Sequence, residues 1–205
     1  MSTSKSQVQQ LVQLHRKLKT CHDCKDMFGP PVIGQPNDSP VMLIGQAPGN
    51  KEIEVHRPFA WTAGKTLFKW FAQIGMEEES FRQKIYMSAV CRCFPGKNPK
   101  GGDRVPSKTE IETCQQWINR EMALLQPELI IPVGKLAIGR FVKINKLTDI
   151  IGKRHSLEIN QQQTDIIALP HPSGASTWHH TEPGKTLLLE ALKMIQSHPA
   201  WKKIK

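Results

Sequence analysis

The chain contains cysteines at the spacing of a metal or cluster site. Cys21 and Cys24 form a Cys-x-x-Cys pair, and Cys93 and Cys114 provide a distant second pair. Two residues between thiolates allow both sulfurs to face one ion or cluster from a single turn, which suits zinc and iron–sulfur about equally. A redox dithiol is the weaker alternative because the pair follows a predicted helix. Cys91 lies in an apolar run, so we expect it to be a small buried residue of the core. The alternative to a ligand role for Cys93 and Cys114 is that they too are small buried residues.

Two polar turns follow apolar runs that have the length of buried strands. The first turn is Gly-Gln-Ala-Pro-Gly at residues 45–49, which offers backbone amides and a close approach to a ligand. The second is His171-Pro172-Ser173, which places an imidazole and a hydroxyl after the run that ends at Leu169. Sites of open α/β sheets form outside the carboxyl ends of strands. The two turns are therefore candidates for one binding site.

Two Gly-Lys pairs invite comparison with a phosphate-binding loop, and both fail it. That loop needs a glycine five residues before its Gly-Lys pair. Phe59 occupies this position ahead of Gly64-Lys65, and His179 occupies it ahead of Gly184-Lys185. We therefore exclude a nucleoside triphosphatase and interpret both pairs as helix starts.

The elements that must position these residues alternate between strands and helices. Apolar runs predict strands near residues 41–44, 84–90, 128–133 and 165–169, with helices near 7–19, 64–74, 107–125, 134–141 and 186–195. Ser107 and Glu110 have the spacing of a capping box for the third helix. This order predicts an α/β fold, a three-layer α/β/α sandwich around a mostly parallel four-stranded sheet. We expect one domain over residues 1–205, in which the N-terminal helix and Cys-x-x-Cys segment, residues 1–40, is attached to the rest of the domain.

Composition favours a polyanionic partner. The 205 residues include 28 Lys and Arg against 18 Asp and Glu, a net charge of +10. Such a surplus is typical of nucleic-acid-binding proteins. A mean hydropathy of −0.41 argues against a membrane protein, because no stretch approaches the roughly 20 apolar residues of a spanning helix. The first seven residues contain no apolar signal core, so we expect a cytoplasmic protein.

Taken together, these motifs resemble the uracil-DNA glycosylase superfamily, and most closely its family 4, the iron–sulfur type. The family's first motif is Gly-Glu-Ala-Pro-Gly, and in this chain it is residues 45–49. Arg57-Pro58-Phe59 and Ala63-Gly64 follow in the family's order, and residues 171–176 match its later His-Pro motif. The resemblance implies a 4Fe–4S cluster, with zinc as the alternative, held by Cys21, Cys24, Cys93 and Cys114.

The resemblance also implies roles for individual residues. Gln46 and His171 are the expected catalytic residues, with His171 donating to a base carbonyl oxygen and Phe59 stacking on a flipped base. The expected base contacts are Gly45, Ala47, Phe59, Ser88, Ala89 and Ser173. The expected DNA contacts are Arg57, Lys65, Gly174, Ala175, Ser176 and Trp178.

Three departures from the family pattern bear on the chemistry. Gln46 replaces the family's glutamate, and a neutral amide can position a water but not polarise it as a carboxylate does. Ala89, beside Ser88, replaces an asparagine that reads the uracil edge, which relaxes or changes selectivity by about 1–3 kcal/mol. The stretch 94–113 is longer than usual and rich in Gly and Lys, so it either contacts DNA or serves as filler.

The sequence therefore predicts a monomeric, monofunctional DNA repair glycosylase. It would hydrolyse the N-glycosidic bond of uracil, or of a related deaminated base in DNA, and leave an abasic site. A first alternative is a binding module on the same fold that holds damaged DNA without cutting it. A second is a zinc-stabilised nucleic-acid binder in which the His-Pro motif is structural.

Overall fold

The computed structural model describes residues 2–174 and 176–205, and within these ranges it describes side chains from residue 6 onwards. Thirteen helices and strands make up its described part: α1 (Ser2–Lys19), β1 (Val41–Gly45), α2 (Asn50–Val55), α3 (Thr62–Ala72), α4 (Glu78–Lys84), β2 (Tyr86–Ala89), α5 (Lys108–Leu125), β3 (Leu129–Pro132), α6 (Lys135–Ile138), β4 (Arg154–Ile159), β5 (Gln162–Ile167), α7 (Gly184–Ser197) and α8 (Pro199–Ile204). Short 3-10 turns lie at Leu147–Asp149 and Trp178–His180.

One five-stranded sheet, in the order β2-β1-β3-β5-β4, forms the centre of the molecule. The strands β2, β1, β3 and β5 are parallel, and only β4 runs antiparallel, beside β5. Because β1 pairs with both β2 and β3, its carboxyl end lies between two other strand ends. This edge of the sheet carries the turn at residues 45–49.

Helices cover both faces of the sheet, and each face has its own hydrophobic core. In β1, Val41 and Leu43 pack into one core, while Met42 and Ile44 pack into the other. Helices α3, α4, α7 and α8 contribute to the first core, and α1 and α5 contribute to the second. Strands buried on both faces are apolar throughout, and β1 is fully buried at all five positions. The predicted three-layer α/β/α sandwich is confirmed.

The prediction of four strands was wrong by one. The additional strand, β4, alternates exposed and half-buried side chains at the sheet edge, so it has no apolar run to reveal it. It is joined to β5 by a tight turn in which Asn160 and Gln161 have positive φ. β5 therefore begins at Gln162 and ends at Ile167, earlier than the predicted strand at 165–169. Helix α6 covers only four residues of the predicted 134–141.

The capping box predicted for the long helix α5 is confirmed. The Ser107 side chain accepts a hydrogen bond from the Glu110 backbone amide, and the Glu110 carboxylate accepts one from Ser107 N in return. The helix begins at Lys108 and ends at Leu125, as the sequence predicts. No helix in residues 2–174 or 176–205 has the length and apolar character needed to cross a membrane.

Candidate functional site

A cavity of about 710 Å³ opens at the carboxyl ends of β1 and β2. Its walls include every residue predicted to act in catalysis or base contact: Gly45, Gln46, Ala47, Phe59, Ser88, Ala89, His171 and Ser173. Four separate segments of the chain supply them: the turn after β1, the loop before α3, the end of β2 and the turn after β5. The fold therefore gathers the two polar turns and the Phe59 ring around one space.

His171 is held in a defined orientation in this cavity. Its Nδ1 accepts a hydrogen bond from the Ser173 backbone amide at 3.3 Å, so the ring proton is on Nε2. Burial lowers the pKa of His171, which favours the neutral ring near pH 7. A neutral imidazole with a proton on Nε2 is a hydrogen-bond donor through that atom.

Gly134 makes room for the His171 ring. A Cβ on residue 134 would lie 2.9 Å from His171 Cδ2, and Gly134 has φ +84°. Both the left-handed backbone and the lack of space require glycine at this position. Gly134 follows β3 closely, so β3 contributes to the site together with the ends of β1, β2 and β5.

Phe59 occupies a constrained backbone position beside the first motif. Its φ is +51°, which is unfavourable for a bulky residue. A Cβ on Gly45 would lie 3.0 Å from the Phe59 ring, and one on Gly64 would lie 1.8 Å from the Phe59 carbonyl oxygen. Both glycines are therefore required for the ring to reach the cavity wall.

Two charged side chains hold this loop in place. Arg82 donates to the carbonyl oxygens of Pro58 and Phe59 at 2.7 and 3.0 Å. Glu52 accepts from the backbone amides of Gly49 at 2.6 Å and Ala60 at 3.2 Å, so it links the first motif to the Phe59 loop. Burial raises the pKa of Glu52, while these backbone hydrogen bonds lower it. Arg82 and Glu52 are positioning residues that the sequence motifs do not reveal.

The Gly- and Lys-rich stretch after Cys93 forms a hairpin at the cavity mouth. Lys97 and Asp103 are bridged as an antiparallel pair, and their side chains form an ion pair at 2.6 Å. Both residues line the cavity, together with Gly101 and Gly102. At the hairpin base, Arg104 donates to both carboxylate oxygens of Glu110. This stretch, which the sequence predicts either to contact DNA or to serve as filler, thus forms part of the cavity wall.

A buried polar network extends from Ser88, in the wall of the larger cavity, to Arg92, in the wall of a second cavity. Ser88 Oγ donates to Glu121 at 2.9 Å and accepts from Arg92 at 2.5 Å. Arg92 and Glu121 also form an ion pair whose side chains are 2% and 0% exposed. Ser88 lines the first cavity and Arg92 lines the second. The two cavities therefore lie on either side of this network.

The second cavity, of about 240 Å³, contains the predicted ligand cysteines. Cys21, Cys24, Cys93 and Cys114 all line it. Burial raises the pKa of Cys24 to about 11 and that of Cys93 to about 12, and the neighbouring thiols add to both shifts. Cys91 is fully buried, is absent from the described lining of this cavity, and lies beside Cys114.

The thiols surround a space rather than a single point. Among the described residues, no three His, Cys, Asp or Glu side chains are placed to hold one metal ion. Four thiols around a cavity of about 240 Å³ instead have the donor chemistry and the room for an iron–sulfur cluster. The residues present therefore fit the cluster that the sequence resemblance implies.

The described residues that are predicted to contact DNA lie outside the cavity lining. The Arg57 guanidinium pairs with Glu79 at 2.5 Å, and the Lys65 ammonium lies 5.9 Å from the centre of the Trp61 ring. Trp178 packs against the first core and Gly184, so its ring is partly buried. Gly174 and Ser176 lie on the turn after His171, with Gly174 exposed, and Ala175 lies outside the described residues.

Comparison with known proteins identifies the family of this chain. The model of the Uracil DNA glycosylase superfamily matches residues 31–195. This chain therefore belongs to the uracil-DNA glycosylase superfamily. A Type-4 uracil-DNA glycosylase from Pyrobaculum aerophilum is 27% identical over 172 residues, covering 80% of this chain and 83% of the relative. One from Archaeoglobus fulgidus is 25% identical over 177 residues, covering 81% and 83%.

A relative of another type matches over a shorter stretch. A Type-5 uracil-DNA glycosylase from Pyrobaculum aerophilum is 26% identical over 147 residues, covering 65% of this chain and 61% of the relative. The similarity therefore extends beyond one type, although these two Type-4 relatives are covered over more of their length.

Proposed function

We propose that this protein is a DNA repair glycosylase that hydrolyses the N-glycosidic bond of uracil or a related deaminated base. The observation that carries the proposal is that Gln46, Phe59 and His171 line one cavity. Membership of the superfamily and the names of the Type-4 relatives support the same activity. We also propose that the protein acts as a monomer and that its partner is DNA containing the deaminated base.

The reaction begins with extrusion of the base from the helix, which costs a few kcal/mol. The positive surface, with a net charge of +10, binds the phosphate backbone. The flipped base enters the cavity and stacks on Phe59, whose ring is fixed by Arg82 and Glu52 through the loop backbone. A fixed ring loses little freedom on binding, which favours the extruded base.

Bond cleavage transfers negative charge to the leaving base. As the C1′–N bond breaks, its electron pair moves onto the base, and the sugar gains oxocarbenium character. His171 Nε2 donates a hydrogen bond to the base oxygen on which the charge collects. The ring does this as a neutral donor, because burial lowers its pKa. Backbone amides of Gly45 and Gln46 are proposed to assist.

Water then attacks the sugar at C1′. The Gln46 side chain or backbone carbonyls of the first motif orient this water, and Ser88, Ala89, Ala47 and Ser173 shape the walls around the base. Without a carboxylate at residue 46, we expect slower hydrolysis than in relatives that have glutamate there. Arg57, Lys65, Gly174, Ser176 and Trp178 remain the proposed DNA contacts.

Cys21, Cys24, Cys93 and Cys114 are proposed to hold a 4Fe–4S cluster, with zinc as the alternative. When bound, the cluster supplies a cross-link between the segment after α1, the loop after β2 and helix α5. Hydrolysis of an N-glycosidic bond changes no oxidation state, so the chain's own residues are sufficient for each step described above.

The test is a panel of oligonucleotides that contain uracil, hypoxanthine or xanthine. The folded, iron-loaded protein is incubated with each, and abasic sites are then cleaved with alkali. We expect strand cleavage with at least one of these bases. Absence of product with all of them would refute the proposed activity.

A second candidate function is a module that binds damaged DNA without cutting it. Gln46 and Ala89 favour it, because both replace residues of the family that act on water or base. In that case the Gln46→Glu, Ala89→Asn double variant gains activity that the natural protein lacks. Efficient cleavage by the natural protein excludes this candidate.

A further inference from the structure

Residue 46 of the first motif is a glutamine, but the described wall of the larger cavity contains two carboxylates elsewhere. They belong to Glu52, near the start of helix α2, and Asp103, at the end of the Gly- and Lys-rich hairpin. Both approach Gly49, the last residue of the first motif. A Cβ on Gly49 would lie 3.1 Å from Asp103 Oδ2 and 3.7 Å from Glu52 Oε2.

Glu52 is already occupied by the backbone. Its Oε2 accepts from the Gly49 amide and its Oε1 accepts from the Ala60 amide, at 2.6 and 3.2 Å. A water bound to this carboxylate would compete with the hydrogen bonds that hold the loop. Glu52 is therefore a structural carboxylate, and its charge is committed to positioning.

Asp103 has a different environment. Lys97 binds its Oδ1 at 2.6 Å and leaves Oδ2 on the side of the first motif. The side chain is 38% exposed, so water reaches it. Asp103 thus brings a negative charge to the turn in which Gln46 carries none.

We infer that Asp103 is the carboxylate that polarises the attacking water, in the role that Gln46 cannot fill. The inference rests on the proposed function. In this step the water oxygen forms a bond to C1′ of the oxocarbenium-like sugar, after the C1′–N bond has broken and its electron pair has left with the base. The water proton passes to the Asp103 carboxylate and from there to solvent. Gln46 retains the task of orienting the water.

The hairpin does not depend on the Asp103 carboxylate for its shape. The Asn98 amide donates to the Gly102 carbonyl, and the Arg104 amide donates to that of Gly96, both at 2.9 Å. The Arg104 guanidinium also binds Glu110 and the Asp26 carbonyl. An Asp103→Asn variant should therefore fold with the hairpin in place.

The test compares single-turnover uracil release from a duplex oligonucleotide, with protein in excess, across a set of variants. General acid–base catalysis contributes about 100-fold or more, so Asp103→Asn should slow release by about that factor. The Asp103→Asn, Gln46→Glu double variant should recover most of the lost rate. Asp149→Asn makes the same chemical change at an exposed aspartate outside the cavity lining and should match the natural protein.

Lys97→Met separates catalysis from hairpin structure. It removes the ion pair and keeps the carboxylate, so it should lose far less rate than Asp103→Asn. If Asp103→Asn releases uracil at the natural rate, the inference fails and the proposed function stands. The inference also fails if Asp103→Asn releases uracil slowly, Gln46→Glu does not restore its rate, and Lys97→Met is equally slow. A natural protein inactive on all three bases overturns the proposed function and this inference with it.

Discussion

The imidazole of His171 lies against the α-carbon of Gly134, with no room for a side chain between them. A Cβ on residue 134 would approach His171 Cδ2 to 2.9 Å and His171 Cβ to 3.3 Å. Gly134 starts the turn after β3, while His171 follows β5, the neighbouring parallel strand. The direction of the His171 ring is therefore set by a glycine at the adjacent strand end.

Replacing Gly134 with alanine should impair both folding and base release. The new methyl group meets the His171 ring, and the φ of +84° is strained for alanine, so we expect a loss of about 1–3 kcal/mol in the free energy of unfolding. Displacement of the ring should also slow single-turnover uracil release. Gly75→Ala is the matched control, because Gly75 has φ +81° and its nearest neighbour is the flexible end of Lys205. Equal rates in the two variants would contradict the role of Gly134.

The positions of the two polar turns could be predicted from sequence, because each follows a buried apolar strand and begins with residues that end it. The cysteine group could be predicted from spacing and resemblance. The supports of the site could not. Arg82 reaches the Phe59 carbonyl across 23 residues, and Arg92 reaches Glu121 across 29. Such contacts depend on packing between elements, and single charged residues in a sequence do not indicate their partners.

The edge strand β4 illustrates the same limit. Its side chains alternate between exposed and half-buried, and it contains Arg154 and Glu158, so apolar periodicity does not distinguish it from a loop. The pairing with β5 decides its structure. Local sequence similarly predicts a longer α6 than the fold allows, because Gly139 ends the helix one turn after it begins.

Stability should decrease in mild acid because of a buried histidine. Burial lowers the pKa of His15 from 6.5 to about 4. Below pH 6.5 the unfolded chain takes up a proton that the folded protein does not, so stability is lost as pH falls from 6.5 towards 4. The contribution reaches roughly 3 kcal/mol over this interval. Urea unfolding at pH 7.5, 6 and 5 measures it.

The matched variants for this prediction are His15→Gln and His180→Gln. His15→Gln removes the titrating ring next to Tyr86 and should flatten the dependence on pH. His180 is exposed, so His180→Gln should retain the slope of the natural protein. An unchanged slope in His15→Gln would contradict the prediction.

Removal of one partner of the buried Arg92–Glu121 pair should be strongly destabilising. Both side chains are almost fully excluded from water, so Arg92→Met leaves an unpaired carboxylate and Glu121→Met leaves an unpaired guanidinium. Each should cost about 3–5 kcal/mol in the free energy of unfolding. The Arg92→Met, Glu121→Met double variant should lose less than the sum of the single changes. Chemical denaturation of all four proteins tests this, and additive losses would count against a coupled pair.

Cys93 and Cys91 should respond differently to substitution. Cys93 lines the cavity with the other three predicted ligands, while Cys91 is buried beside Cys114. Cys93→Ser should therefore lose bound iron, together with the absorbance at about 400 nm that is typical of an iron–sulfur cluster. Cys91→Ala should retain both. The measurement is iron content and the visible spectrum of each purified protein, and the opposite pattern would assign the ligand to Cys91.

The most direct test of the central claim is the rate of uracil release by His171→Ala and Phe59→Ala, compared with the natural protein at equal iron content. If the cavity that contains Gln46, Phe59 and His171 is the place of reaction, both variants should be slower under single-turnover conditions. Loss of the His171 donor should cost about 100-fold or more. Release of uracil by both variants at the natural rate would mean that the reaction takes place elsewhere in the protein, and this cavity would not be the active site.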